Sequence, residues 1–167
     1  MKKVLIVIDM QNDFITGALA NKDALAIVES VAQMVANFDG DVIATRDTHG
    51  ADYLNTTEGK LLPVEHCIAG SDGWQIVDKI KTEIDKKGGI VIDKPTFGYK
   101  DWQLDGYDVA EIVGTCTDIC VVSNALILKA LYPDMQVVVH GSLCAGLTPQ
   151  KHAHALDVMA SCQCKVI

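Results

Sequence analysis

Val4-Leu5-Ile6-Val7-Ile8 is an unbroken apolar, β-branched run, the pattern of a strand buried on both faces of a parallel sheet. A polar turn separates it from residues 23–38, where Leu25, Val28, Val31, Ala32 and Val35 recur at helical spacing. Residues 42–45 predict a second strand, and an irregular stretch at 46–73 follows. Helical periodicity returns over 74–84, with Ile76, Val77, Ile80 and Ile84 on one side, and Gly88-Gly89 ends it. Further strands are predicted at 90–92 and 109–113. The next helix spans 117–131, with Thr117 or Asp118 as its N-cap and Pro133 just beyond its end. Residues 136–139 make a fifth strand, 149–160 a helix with Pro149 at its start, and 164–167 a last strand.

Strands alternating with helices predict an α/β fold: three layers, α/β/α, around a mainly parallel six-stranded sheet of Rossmann-like form with right-handed crossovers. No linker or internal repeat divides the chain, so residues 1–167 are expected to form a single domain. In such sheets the working loops lie beyond the carboxyl ends of the strands. The excess of acidic groups, a formal charge of −8, repels phosphate backbones and anionic bilayers, and neither nucleic acid nor a membrane is expected as a partner. The apolar run after Met1-Lys2-Lys3 stops at Asp9, too short for a secretory or spanning segment, which predicts a cytoplasmic protein. Six cysteines without Cys-x-x-Cys spacing are expected as small buried hydrophobes rather than disulfides.

Reading off the strand ends isolates the residues with chemistry. Asp9 follows the first strand, Arg46, Asp47 and His49 the second, Asp93 and Lys94 the third, and residues 114–120 the fourth. Cys120 falls in the first turn of its helix, where free amides, the macrodipole and a cation such as Lys94 lower a thiol's pKa. Asp9 is then placed to act as a general base. A buried core thiol and a turn-capping aspartate fit the same positions equally well. Asp47-Thr48-His49, with Glu58 and His66 in the same stretch, makes a plausible shell for Zn²⁺, Fe²⁺ or Mn²⁺, and a polar surface loop is the other reading. His140 is expected at the end of the fifth strand, His152 and His154 near a helix start as solvated or N-terminal helix residues. Phe14, Phe97 and Tyr99 lie beside these loops and could line a pocket.

Together these segments resemble the isochorismatase-like cysteine hydrolases, in particular their nicotinamidase-related branch. The signatures are Asp9-Met10-Gln11-Asn12-Asp13-Phe14, Arg46-Asp47-Thr48-His49, Pro63-Val64-Glu65-His66-Cys67, Lys94, and Gly114-Thr115-Cys116-Thr117-Asp118-Ile119-Cys120. The resemblance runs over essentially the whole chain and implies the isochorismatase fold. It implies a catalytic triad of Asp9, Lys94 and Cys120, a cis peptide between Thr115 and Cys116, and an oxyanion hole built from the amides of Cys116 and Cys120. It further implies a divalent metal, Zn²⁺ first, on Asp47, His49 and His66, with Glu58 as an added ligand, and assembly into a homo-oligomer.

Metal-assisted cleavage of a small carboxamide through a thioester is the activity that follows. Typical nicotinamidases carry an aromatic residue before the Pro-x-His element, whereas Leu62 precedes Pro63 here, so the residue facing the substrate differs. The alternatives are hydrolysis of another small substrate, such as a vinyl ether of the isochorismate kind, or a non-catalytic relative that binds a small ligand.

Overall fold

The computed structural model describes residues 1–167. Six strands form one sheet: β1 (Lys3–Ile8), β2 (Asp41–Asp47), β3 (Ile90–Lys94), β4 (Val109–Thr115), β5 (Gln136–Ala145) and β6 (Lys165–Val166). Their order is β3-β2-β1-β4-β5-β6, and every pairing is parallel. The main helices are α2 (Lys22–Asn37), α4 (Asp78–Lys86), α5 (Val122–Leu131) and α6 (Pro149–Ser161), with short α1 (Asn12–Ile15) and α3 (Thr57–Leu61) beside the carboxyl ends of the strands. None of them is long and apolar enough to cross a membrane.

The run at β1 is apolar throughout because both of its faces are covered. Val4, Ile6 and Ile8 pack with Ile112, Val121, Leu128 and Met159 on the side of α5 and α6. Leu5 and Val7 pack with Val28, Val31, Val35, Ile80 and Ile84 on the side of α2 and α4. A side-chain period of two thus feeds two cores from one strand.

Several boundaries differ from the sequence expectation. Residues 74–77 are not helical: Ile76 bridges Gln11 in antiparallel fashion and α4 begins at Asp78. Isoleucines four apart satisfy a helix pattern, but here the first serves the bridge. β5 runs on to Ala145, because a register shift between Ile112 and Gly114 lets β4 keep pairing past Gly141-Ser142. His140 therefore lies inside β5, where its Nε2 meets Glu111 Oε2 at 2.6 Å. The helix expected from residue 117 opens as one π-helical turn, Thr117–Val121, after which α5 begins; the carbonyl of Cys116 accepts from the amides of both Ile119 and Val121. Cys116, not Thr117 or Asp118, is the N-cap, and it offers no side-chain cap.

Candidate active site

The strand order reverses at β1, between β2 and β4, and side chains from the carboxyl ends of β1, β2, β3 and β4 meet there. Asp9 leaves β1 with φ 48°, in the left-handed region that costs a non-glycine residue about 1 kcal/mol or more. Its Oδ1 accepts a 2.6 Å hydrogen bond from Thr45 Oγ1, and its amide donates to the same oxygen at 3.2 Å. β4 can approach because residue 114 is glycine: at φ 123° a Cβ there would stand 2.1 Å from the carbonyl oxygen of Ile8. The following peptide, Thr115-Cys116, is cis, and the π turn then brings Cys120 back over the sheet.

Lys94, at the end of β3, is fully buried. Its Nζ lies 2.7 Å from Asp9 Oδ2, 3.7 Å from Cys120 Sγ and 3.8 Å from Asp47 Oδ1, and it donates to the carbonyl of Thr96 at 3.2 Å. Asp9 Oδ2 and Asp47 Oδ1 accept no aligned hydrogen bond, so the ammonium is the compensation each receives. Burial disfavours the charge on Lys94, yet the charges of Asp9, Cys120 and Asp47 and the hydrogen bond to Asp9 together outweigh it and hold the ammonium above its ordinary pKa.

Burial pushes the Cys120 thiol well above its usual range, and Asp9 adds to this more than Lys94 subtracts. Desolvation thus overturns the lowered pKa expected from a helix start beside a lysine. Burial likewise raises Asp9, against the attraction of Lys94. Cys116 and Cys144 are driven to about 11 and about 12 by burial. All six cysteines are free and only Cys162 is exposed.

Asp47 faces two ways. Its Oδ1 is turned to Lys94, while its Oδ2 lies 3.0 Å from His49 Nε2 and 3.8 Å from His66 Nε2. Glu58 Oε1 stands 3.7 and 3.9 Å from the same two nitrogens. The four donor atoms all fall within 4.8 Å of one another. Bonds of about 2.1 Å around a four- to six-coordinate ion place neighbouring donors about 3.0–3.5 Å apart and opposite ones near 4.2 Å. The spacing therefore suits a divalent cation after small adjustments.

Orientation suits it as well. His66 Nδ1 lies 2.8 Å from the carbonyl of Val64, which fixes the proton there and leaves the Nε2 lone pair facing the cluster. The cluster also draws positive charge. Burial would lower His49, but the hydrogen bond and charge of Asp47, and then Glu58, raise it. The buried ring of Tyr53 packs on both imidazoles, with centroids 4.7 and 5.0 Å away.

Residues without an assigned role in the sequence reading hold these groups. The Gln11 side chain clamps Asp47 by its backbone, accepting from the amide at 2.7 Å and donating to the carbonyl at 2.8 Å. Asp13 Oδ2 accepts from the amide of Cys67 at 2.7 Å, which anchors the chain beside His66. His152, in the first turn of α6, lies 2.8 Å from the hydroxyl of buried Thr117. Thr45 had one available signal, a polar residue in the otherwise apolar stretch 42–45 of its strand.

The four candidate pocket residues have different surroundings. Phe14 lies 5.7 Å from His66, ring to ring. Leu62 and Phe97 are exposed, whereas Tyr99 packs edge-on against the core residue Trp102 at 5.2 Å.

The chain is similar to known proteins in sequence and in fold. Residues 3–167 match the isochorismatase domain family. A nicotinamidase of Saccharomyces cerevisiae is 29% identical over 64% of this chain, and the chain spans 63% of that enzyme's length. The crystal structure of a pyrazinamidase/nicotinamidase from Streptococcus mutans superposes with a TM-score of 0.87 at 27% identity, covering 99% of this chain and 100% of that one. A Pyrococcus horikoshii pyrazinamidase, solved in complex with zinc, gives 0.83 at 25% identity over 100% and 99% of the two chains.

Proposed function

The chain belongs to the isochorismatase family, and from that premise we propose that it is a metal-assisted cysteine amidohydrolase cleaving a small carboxamide, as its nicotinamidase-named relative suggests. The observation that carries the reading is the buried convergence of Asp9, Lys94 and Cys120 around one ammonium, at 2.7 and 3.7 Å.

Cys120 rests as a thiol. As Sγ attacks the amide carbon, its proton passes to Asp9, and the cationic Lys94 offsets the charge growing on sulfur. The carbonyl oxygen becomes an oxyanion facing the amides of Cys116 and Cys120. Asp9 then protonates the leaving nitrogen, ammonia departs and an acyl-cysteine thioester remains. A water gives its proton to Asp9 as it attacks the thioester, the acid is released, and the proton returns to sulfur.

Asp47, His49, Glu58 and His66 would hold the divalent metal, for which zinc is the first candidate given the zinc-bound relative. A metal bound there would polarise and orient the substrate or a water. The proposal extends to a cytoplasmic enzyme that works as a homo-oligomer.

Ammonia release from a panel of small amides, nicotinamide included, tests the reading on protein of measured metal content. Turnover of at least one amide is expected, with a loss of about a thousandfold or more in Cys120→Ala. A folded Cys120→Ala protein that retains full activity would overturn the assignment.

A further inference from the structure

Asn124 lies in α5, on the turn after Cys120, and is fully buried. An amide side chain has two donor hydrogens and an acceptor oxygen, and here all are used across two parts of the chain. Nδ2 donates to the carbonyl of Cys120 at 2.8 Å and to that of Phe97 at 3.1 Å. Oδ1 accepts from the amide of Tyr99 at 2.9 Å and from the indole nitrogen of Trp102 at 3.3 Å. One bond grips the residue that carries the thiol. The other three grip the segment following Lys94, whose ammonium also bonds the carbonyl of Thr96.

This segment, residues 95–102, contains no helix or strand, and Asn124 serves the carbonyl of Phe97, the amide of Tyr99 and the indole of Trp102 in place of a strand partner. Gly98 brings it close, since a Cβ there would lie 2.4 Å from Ile127 Cδ1. The result is a connection that leaves β3 at the lysine, crosses the helix of the cysteine and presents Phe97 at the surface, 44% exposed. Deleting a buried side chain that meets four partners leaves several of them unsatisfied, so the whole segment is expected to respond.

We propose that Asn124 is a positioning residue that locks residues 95–102 as one wall of the site and so sets which amides reach Cys120. Its substrate side rests on the amidohydrolase reading; its geometric side does not.

The test uses the full chain with Asn124→Ala, Asn124→Ser and, at an exposed position that spares the fold, Phe97→Ala. In the Asn124 variants, the indole N–H resonance of Trp102 is expected to move. That of Trp74, which donates to Thr48 Oγ1 at 2.8 Å, should stay. KM for the preferred amide is expected to rise at least tenfold in Asn124→Ala while kcat changes less than about threefold, and the ranking of amides should change in Phe97→Ala. Alkylation at Cys120, mapped by peptide mass, serves whatever the substrate is. Asn124→Ala should speed N-phenylmaleimide at least fivefold relative to acrylamide. An unchanged reagent ratio in a folded Asn124 variant overturns the lock. Wild-type KM and ranking in Phe97→Ala overturn the wall.

Discussion

At Lys94 a full positive charge is kept away from solvent, and the carboxylate oxygens that face it, Asp9 Oδ2 at 2.7 Å and Asp47 Oδ1 at 3.8 Å, accept no other hydrogen bond. Such a group is costly to remove alone, because what remains is a pair of buried anions. Lys94→Met is therefore expected to lower stability by about 3 kcal/mol or more, read by chemical denaturation. A Lys94→Met protein as stable as the parent would mean the carboxylates find other compensation. The residue types here were legible in the sequence because Asp9, Asp47 and Lys94 each end a strand. The state of the thiol was not. It depends on how completely Cys120 is desolvated, which no spacing along the chain encodes, and burial outweighs both the helix start and the lysine. Gln11 and Asn124 were equally silent, since an amide side chain reveals its partners only once distant segments have been brought together.

The elements that carry the site are irregular where they must be. β4 ends in a register shift, a glycine with positive φ and a cis peptide, and its helix opens as a π turn. Hydrophobic periodicity finds β4 and the body of α5, whose buried positions keep their order, but it is blind to all four departures because none changes which residues are apolar. Gly114 is the most exposed of them to mutation. With a Cβ meeting backbone at 2.1 Å, the strands must separate or the turn must shift. Gly114→Ala is expected to cost about 3 kcal/mol, from overpacking and an unfavourable φ together, measured as a lowered midpoint of thermal or urea unfolding. An unshifted midpoint would show that β1 and β4 can part there freely. The helix expected at 74–84 forms only from Asp78 for a related reason: Ile76 is buried by a bridge to Gln11, and burial alone does not say which geometry achieves it.

For the whole molecule, the strand order β3-β2-β1-β4-β5-β6 is what turns residues separated by more than a hundred positions into neighbours. The alternation of strands and helices made that architecture readable, and with it the rim on which the site lies. The histidine–carboxylate cluster belongs to this rim, so an ion bound there would tie its loops together and support the fold. Zinc added to metal-stripped protein is expected to raise its stability, by about 2.7 kcal/mol at a hundredfold excess over Kd. His49→Ala should erase that increment; an equal gain in both proteins would place the ion elsewhere. Asp47 gives this coupling a further consequence. One of its oxygens answers to the ammonium of the cysteine's side and the other to the imidazoles, so the two halves cannot be charged independently. A reversible inhibitor seated at the thiol and a metal seated at the histidines must then alter each other's affinity by one common factor. Titrating either in the presence of the other measures a single number, and that number is the traffic through one carboxylate.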